Sequence, residues 1–139
     1  MANLDKLILY TDGASLGNPG RAGIGIVIYN QNRDVIRRMT EFIGINTNNV
    51  AEYMALIYAL QEALYLKAKE LSCFLDSELV VKQLEGSYKV KDSKLKPLYY
   101  QIKHLENFFQ KVSFSYISRD RNKEADKLAK EAAKKKKRG

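Results

Sequence analysis

The chain has 139 residues, 45% of them apolar, and carries 24 lysines and arginines against 16 acids, for a formal charge of +8. This predicts one domain over 1–139 with a packed core, and a basic surface suited to polyanions, nucleic acid before anionic membrane. No run approaches the roughly 18 apolar residues of a membrane helix. Met1–Lys6 lacks a signal-peptide pattern. A single Cys73 excludes an internal disulfide and a single His104 excludes a multi-histidine zinc site. A cytoplasmic monomer without membrane attachment or an obligatory protein partner is expected.

In chain order, residues 6–11 read as a buried strand and Gly23–Tyr29 as a second. A turn at 30–34 leads to a third strand over Val35–Ile43, and the short links predict an antiparallel meander. Met54, Ile57, Leu60 and Leu64 recur at helical spacing, so a helix is expected from Val50 to about Lys69. Residues 71–75 read as a fourth strand, followed by a short helix over Ser77–Glu85 that Gly86 ends. A lysine-rich connection, Tyr88–Lys96, precedes a helix opened by Pro97 and running to about Gln110. Val112–Ile117 reads as the fifth strand and Asn122 to about Lys136 as the last helix. The end of the chain, 134–139, is basic and reads as a flexible tail. Three strands followed by strand–helix alternation predict an α/β fold with a mixed sheet. Helical crossovers set the fourth and fifth strands parallel to the first.

Four carboxylates fall at strand ends or helix starts in this reading: Asp12, Glu52, Asp76 and Asp126. Each has a local explanation. Asp12 before Gly13 suits a turn. Asn49 and Glu52 form a capping-box pattern. Asp76 can cap the helix from Ser77, and Asp126 suits a helix dipole. What local roles leave unexplained is that this fold can bring all four to one end of the sheet. Two carboxylates about 4 Å apart repel by about 4 kcal/mol at an effective dielectric near 20. Acids gathered there without histidine or cysteine suit a hard cation such as Mg²⁺.

Taken together, Tyr10-Thr11-Asp12-Gly13-Ala14-Ser15, Gly17-Asn18-Pro19-Gly20, Thr47-Asn48-Asn49-Val50-Ala51-Glu52, Leu75-Asp76-Ser77 and Asn122 through Ala129 resemble the motifs of type 1 ribonuclease H. The resemblance covers nearly the whole chain. It implies a ribonuclease H-like fold, a five-stranded sheet in the order 3-2-1-4-5. It implies hydrolysis of the RNA strand of an RNA–DNA hybrid, leaving 5′-phosphate and 3′-hydroxyl ends. It implies two Mg²⁺ ions, with Mn²⁺ as substitute, held by Asp12, Glu52, Asp76 and Asp126. In that scheme Asp12 bridges the ions, Asp76 and Asp126 hold the one that activates water, and Glu52 helps hold the other.

The chain departs from many relatives in two places. Where they carry a loop histidine it has Ser118-Arg119-Asp120-Arg121, so Arg119 is expected to take that place. Where they carry a long, Trp-containing basic handle it has only Gly86–Pro97, and it contains no Trp. Grip on the hybrid is therefore expected from Lys89, Lys91, Lys94 and Lys96, and no separate hybrid-binding domain is expected. By resemblance Asn18, Thr47, Asn48 and Asn49 face the RNA strand, and Glu78 stands where relatives often place glutamine.

Overall fold

A computed structural model describes residues 4–135. Its elements are β1 (Lys6–Ser15), β2 (Gly20–Tyr29), β3 (Val35–Asn46), α1 (Asn48–Tyr65), β4 (Glu70–Leu75), α2 (Glu78–Glu85), α3 (Lys96–Glu106), β5 (Lys111–Tyr116) and α4 (Lys123–Lys134), with a 3₁₀ turn at Arg119–Arg121 before α4. The sheet order is β3-β2-β1-β4-β5. β1–β2 and β2–β3 run antiparallel; β1–β4 and β4–β5 run parallel. Both the mixed sheet and its order match the ribonuclease H-like expectation.

The helices take opposite faces of the sheet. Gly13 of β1 lies so close to α1 that a Cβ there would come within 2.2 Å of the Ala51 carbonyl carbon. Gly25, opposite Asp12 in the ladder, meets α4 instead: its Cβ would lie 2.2 Å from Ala125 O. On the α1 side the core joins Leu7 and Leu9 of β1 to Leu56 and Leu60 of α1, Leu84 of α2 and Ile102 of α3. Tyr53 is fully buried there, its hydroxyl donating to Gln83 Oε1 at 2.6 Å.

Several boundaries differ from the expectations, each for a local reason. β1 continues through Asp12 to Ser15, because the ladder to β2 pairs Asp12 with Gly25 and Ser15 with Ala22. Asp12 therefore lies inside a strand, not in a turn. α1 begins at Asn48 because Thr47 caps it, its hydroxyl accepting from Val50 N; Asn49 is not the cap. It ends at Tyr65 because Lys67 takes a positive φ of 64°. Ser77, not Asp76, caps α2. α3 stops at Glu106, where residues 107–109 tighten into three-residue turns. α4 ends at Lys134, and positions 136–139 of the basic tail lie outside the described residues.

Candidate active site

The ladder between β1 and β4 stops at the pair Tyr10–Phe74. Beyond it the two strands are no longer bonded to each other. Asp12 stands two residues past that pair on β1, and Asp76 two residues past it just after β4. Glu52 reaches the same place from α1, held by the Gly13 amide, which donates to Glu52 Oε1 at 3.0 Å. The missing Gly13 side chain is what lets the helix come so near. Asp12, Glu52 and Asp76 each offer an oxygen within 4.8 Å of the others.

Asp126, in the first turn of α4, completes the cleft of about 360 Å³ that these acids line. Arg119, Asn48, Asn49 and Lys130 line it as well. Asn122 ties the last helix to the central strands. Buried to 1% exposure, it donates from Nδ2 to Thr11 O at 2.9 Å and to Asp76 Oδ2 at 3.2 Å. It makes no cap bond to α4, and its Oδ1 is left without a hydrogen-bond partner.

The acids perturb one another. Burial, then the contact with Glu52, then the charges around it push the Asp12 carboxyl far above the usual carboxylate range. Glu52 is raised mainly by burial, although Asp12 and the Gly13 amide favour its charged form. Asp126 goes down: burial opposes this, but its hydrogen bond with Asp12, the Lys130 ammonium and Arg119 outweigh it. Glu52 Oε2 is buried and has no hydrogen-bond partner. A buried, orphaned carboxylate oxygen beside two more carboxylates is a costly arrangement that a divalent cation relieves. The donor set, all carboxylate, fits a hard cation.

Two expected substrate contacts are pinned in place. Asn18 Oδ1 accepts from Asn48 N at 3.1 Å, and Asn48 Oδ1 accepts from Ser15 N at 2.8 Å. Both residues are exposed, and with their oxygens engaged it is the Nδ2 donors that each amide has left to offer. The Thr47 hydroxyl is taken up in capping α1. Glu78 is exposed, 4.0 Å from Lys82, and does not line the cleft. Lys89, Lys91 and Lys94 are exposed in the link between α2 and α3, Lys96 is exposed at the start of α3, and none of them lines the acid cleft.

Comparison with known proteins agrees with this geometry. Residues 10–132 match the Reverse transcriptase-like family. The crystal structure of RNase H1 from Halobacterium salinarum is 37% identical, with 91% of this chain and 96% of that one covered and a TM-score of 0.89. The chain belongs to the type 1 ribonuclease H family. LC11-RNase H1, solved in complex with an RNA/DNA hybrid, is 40% identical over 91% of this ribonuclease H chain and 96% of its own, with a TM-score of 0.87. The bifunctional protein Rv2228c of Mycobacterium tuberculosis is 41% identical over 91% of this chain but only 35% of its own length. The chain thus spans about a third of the first curated relatives it matches.

Two residues of this ribonuclease H site escape a reading by motif. Lys130 follows Asp126 by one helical turn, a spacing visible in the sequence but common on any helix. Asn122 sits inside a motif, yet its bond to Thr11 spans 111 positions and no local pattern announces it.

Proposed function

We propose that residues 1–139 act as one ribonuclease H domain that hydrolyses the RNA strand of RNA–DNA hybrids. The observation that carries this is the convergence of Asp12, Glu52 and Asp76 within 4.8 Å, with Asp126 in the same cleft. Asp12, Asp76 and Asp126 would hold one divalent cation, and Asp12 with Glu52 a second, Mg²⁺ or Mn²⁺. Such a pair, when bound, supplies charge stabilisation for the attacking and leaving oxygens of an in-line displacement. Water's oxygen bonds to phosphorus and releases a proton, the bond to the 3′-oxygen breaks, and that oxygen takes up a proton. The products carry a 5′-phosphate and a 3′-hydroxyl.

The protein's own groups position the strand. The Nδ2 donors of Asn18 and Asn48 meet acceptors on the RNA, where the 2′-hydroxyl distinguishes RNA from DNA. Asn49 lines the cleft beside them. Arg119 faces the acids and stays protonated, so it cannot act as a base. Its role is to hold the scissile phosphate or draw off the cut product. Lys89, Lys91, Lys94 and Lys96 grip backbone phosphates. We place the enzyme in the cytoplasm as a monomer. A buried free Cys73 suits a reducing compartment, and no helix of the described residues is long and apolar enough to cross a membrane.

The test is cleavage of an end-labelled hybrid with Mg²⁺ or Mn²⁺, with duplex DNA and single-stranded RNA as controls. Cation-dependent cleavage of only the hybrid's RNA strand is expected. Equal cleavage of duplex DNA, or no cleavage with either ion, refutes the assignment.

A further inference from the structure

One cationic side chain in the acid cleft takes no part in the proposed reaction. Lys130 lies one turn beyond Asp126 on α4, with its Nζ 3.0 Å from Asp126 Oδ2. The Asp126 side chain is only 18% exposed. A second lysine pair at the same helical spacing offers a contrast. Lys82 stands 4.0 Å from Glu78, whose side chain is 59% exposed, as expected of a solvated surface pair. Asp126 is also set apart from the other acids. It touches Asp12 but stands outside the group of three whose oxygens lie within 4.8 Å of one another.

We propose that Lys130 is a positioning residue for the Asp126 carboxylate. In the cation-free site its ammonium occupies Asp126 in place of a divalent ion. It lowers the repulsion among the four acids, and it gives up Asp126 when a cation binds. Lys130 thereby competes for one of the two cation positions and sets how much free cation that position needs. The position held by Asp12 and Glu52, with no lysine on either acid, fills first. This inference rests on the reading of the four acids as cation ligands.

The experiment uses the full chain, with Lys130→Gln, Lys130→Arg and, as a surface control, Lys82→Gln. Binding of Mn²⁺ and of Mg²⁺ is measured by calorimetry without nucleic acid, and Tm is measured in chelator and at saturating cation. Lys130→Gln is expected to tighten the weaker cation position by about two- to fivefold, the range of a partly exposed ion pair. It should lower Tm in chelator, and the difference from wild type should close at saturating cation. Lys130→Arg should stay near wild type, because it keeps the charge. The half-saturating Mn²⁺ for hybrid cleavage should fall with the binding constant. Unchanged or weaker cation binding by Lys130→Gln overturns the proposal, and so does an equal effect from Lys82→Gln. If the acids are not cation ligands at all, Asp12→Asn will bind cations as wild type does. That outcome is distinct from a failure confined to Lys130.

Discussion

The seam between β2 and α4 and the acid cleft beside it, where α4 meets β1, α1 and the end of β4, are built on opposite principles. At the seam, Gly23 and Gly25 admit the helix so closely that a Cβ on either would meet α4 backbone at 2.5 Å or less. Ala125, Ala129 and Ala132, all buried, supply small side chains from the helix. Arg21 locks the far end, stacking on Phe42 at 4.4 Å and donating to the Ala133 carbonyl at 3.1 Å. Everything there is packed or paired. One turn away, Asp12 and Glu52 are buried against each other, and polar atoms of Thr11, Glu52 and Asn122 have no partner. A tight seam fixes α4, and with it Asp126, against a cluster that would otherwise push apart. Stability is concentrated in one region so that repulsion can be held in the other.

The comparison breaks most severely at the seam. Gly25→Ala places a methyl group 2.2 Å from Ala125 O and 2.6 Å from Ala129 N. Backbone on both sides leaves nothing flexible to yield, so the destabilisation should exceed about 3 kcal/mol, the upper part of the overpacking range. Chemical denaturation measures it. A change under about 1 kcal/mol would show that α4 can shift without penalty.

Substitution at the cleft should do the reverse. Asp12→Asn should leave less than a tenth of wild-type turnover at saturating Mg²⁺, yet raise Tm without cation at neutral pH, because a buried amide need not take up the proton that the raised Asp12 carboxyl does. The pH dependence follows the same logic. Folding raises the Asp12 and Glu52 carboxyls above their usual values near 4. The folded state then binds protons that the unfolded state has released, so their contribution is present in acid and lost as pH rises through the folded values. Asp126, lowered on folding, acts oppositely and only in the acid range. In chelator, Tm should fall from pH 5.5 to 8, less steeply in Asp12→Asn, and divalent cation should restore most at the higher pH. A flat profile in the wild type would contradict the burial assigned to these acids.

Arg119→Ala comes next in size. If the guanidinium acts on the phosphate or on the departing product, kcat should fall more than KM rises, and Arg119→Lys should recover only part. A change confined to KM reduces Arg119 to a binding residue.

Helix and strand placement was legible in the sequence because periodicity marks the elements; the strand order came with the resemblance to type 1 ribonuclease H, and the four acids could be placed at junctions between elements. What was not legible depends on long-range pairing. β1 runs through Asp12 only because β2 lies opposite it, and no residue near Asp12 shows that Gly25 will be its partner. Thr47 and Asn49 are both good caps locally; the bond from Val50 decides for Thr47. The asparagine motifs were expected, by resemblance, to face the RNA strand. That Asn18 and Asn48 are oriented by each other and by Ser15 follows only once the β1–β2 turn is folded against α1.

The smallest effect is expected outside the cleft, in the link between α2 and α3 and at the first residue of α3. Lys89, Lys91, Lys94 and Lys96 are exposed there, and Lys82 reaches to 5.4 Å from the Tyr88 ring beside them. If these four lysines hold backbone phosphates, each phosphate released from a lysine should reduce the slope of log K against log salt by roughly 0.7–0.9. Changing all four to Ala should flatten the salt dependence and weaken hybrid and duplex DNA alike, because phosphates carry no strand identity. Preference for the hybrid should survive if, as proposed, it rests on Asn18, Asn48 and Asn49. Binding measured across a salt series in Ca²⁺, a cation expected to permit association while suppressing cleavage, reads this directly. An unchanged slope would move the grip elsewhere on the basic surface. A loss of hybrid preference would mean that the link, and not the asparagines, reads the strand.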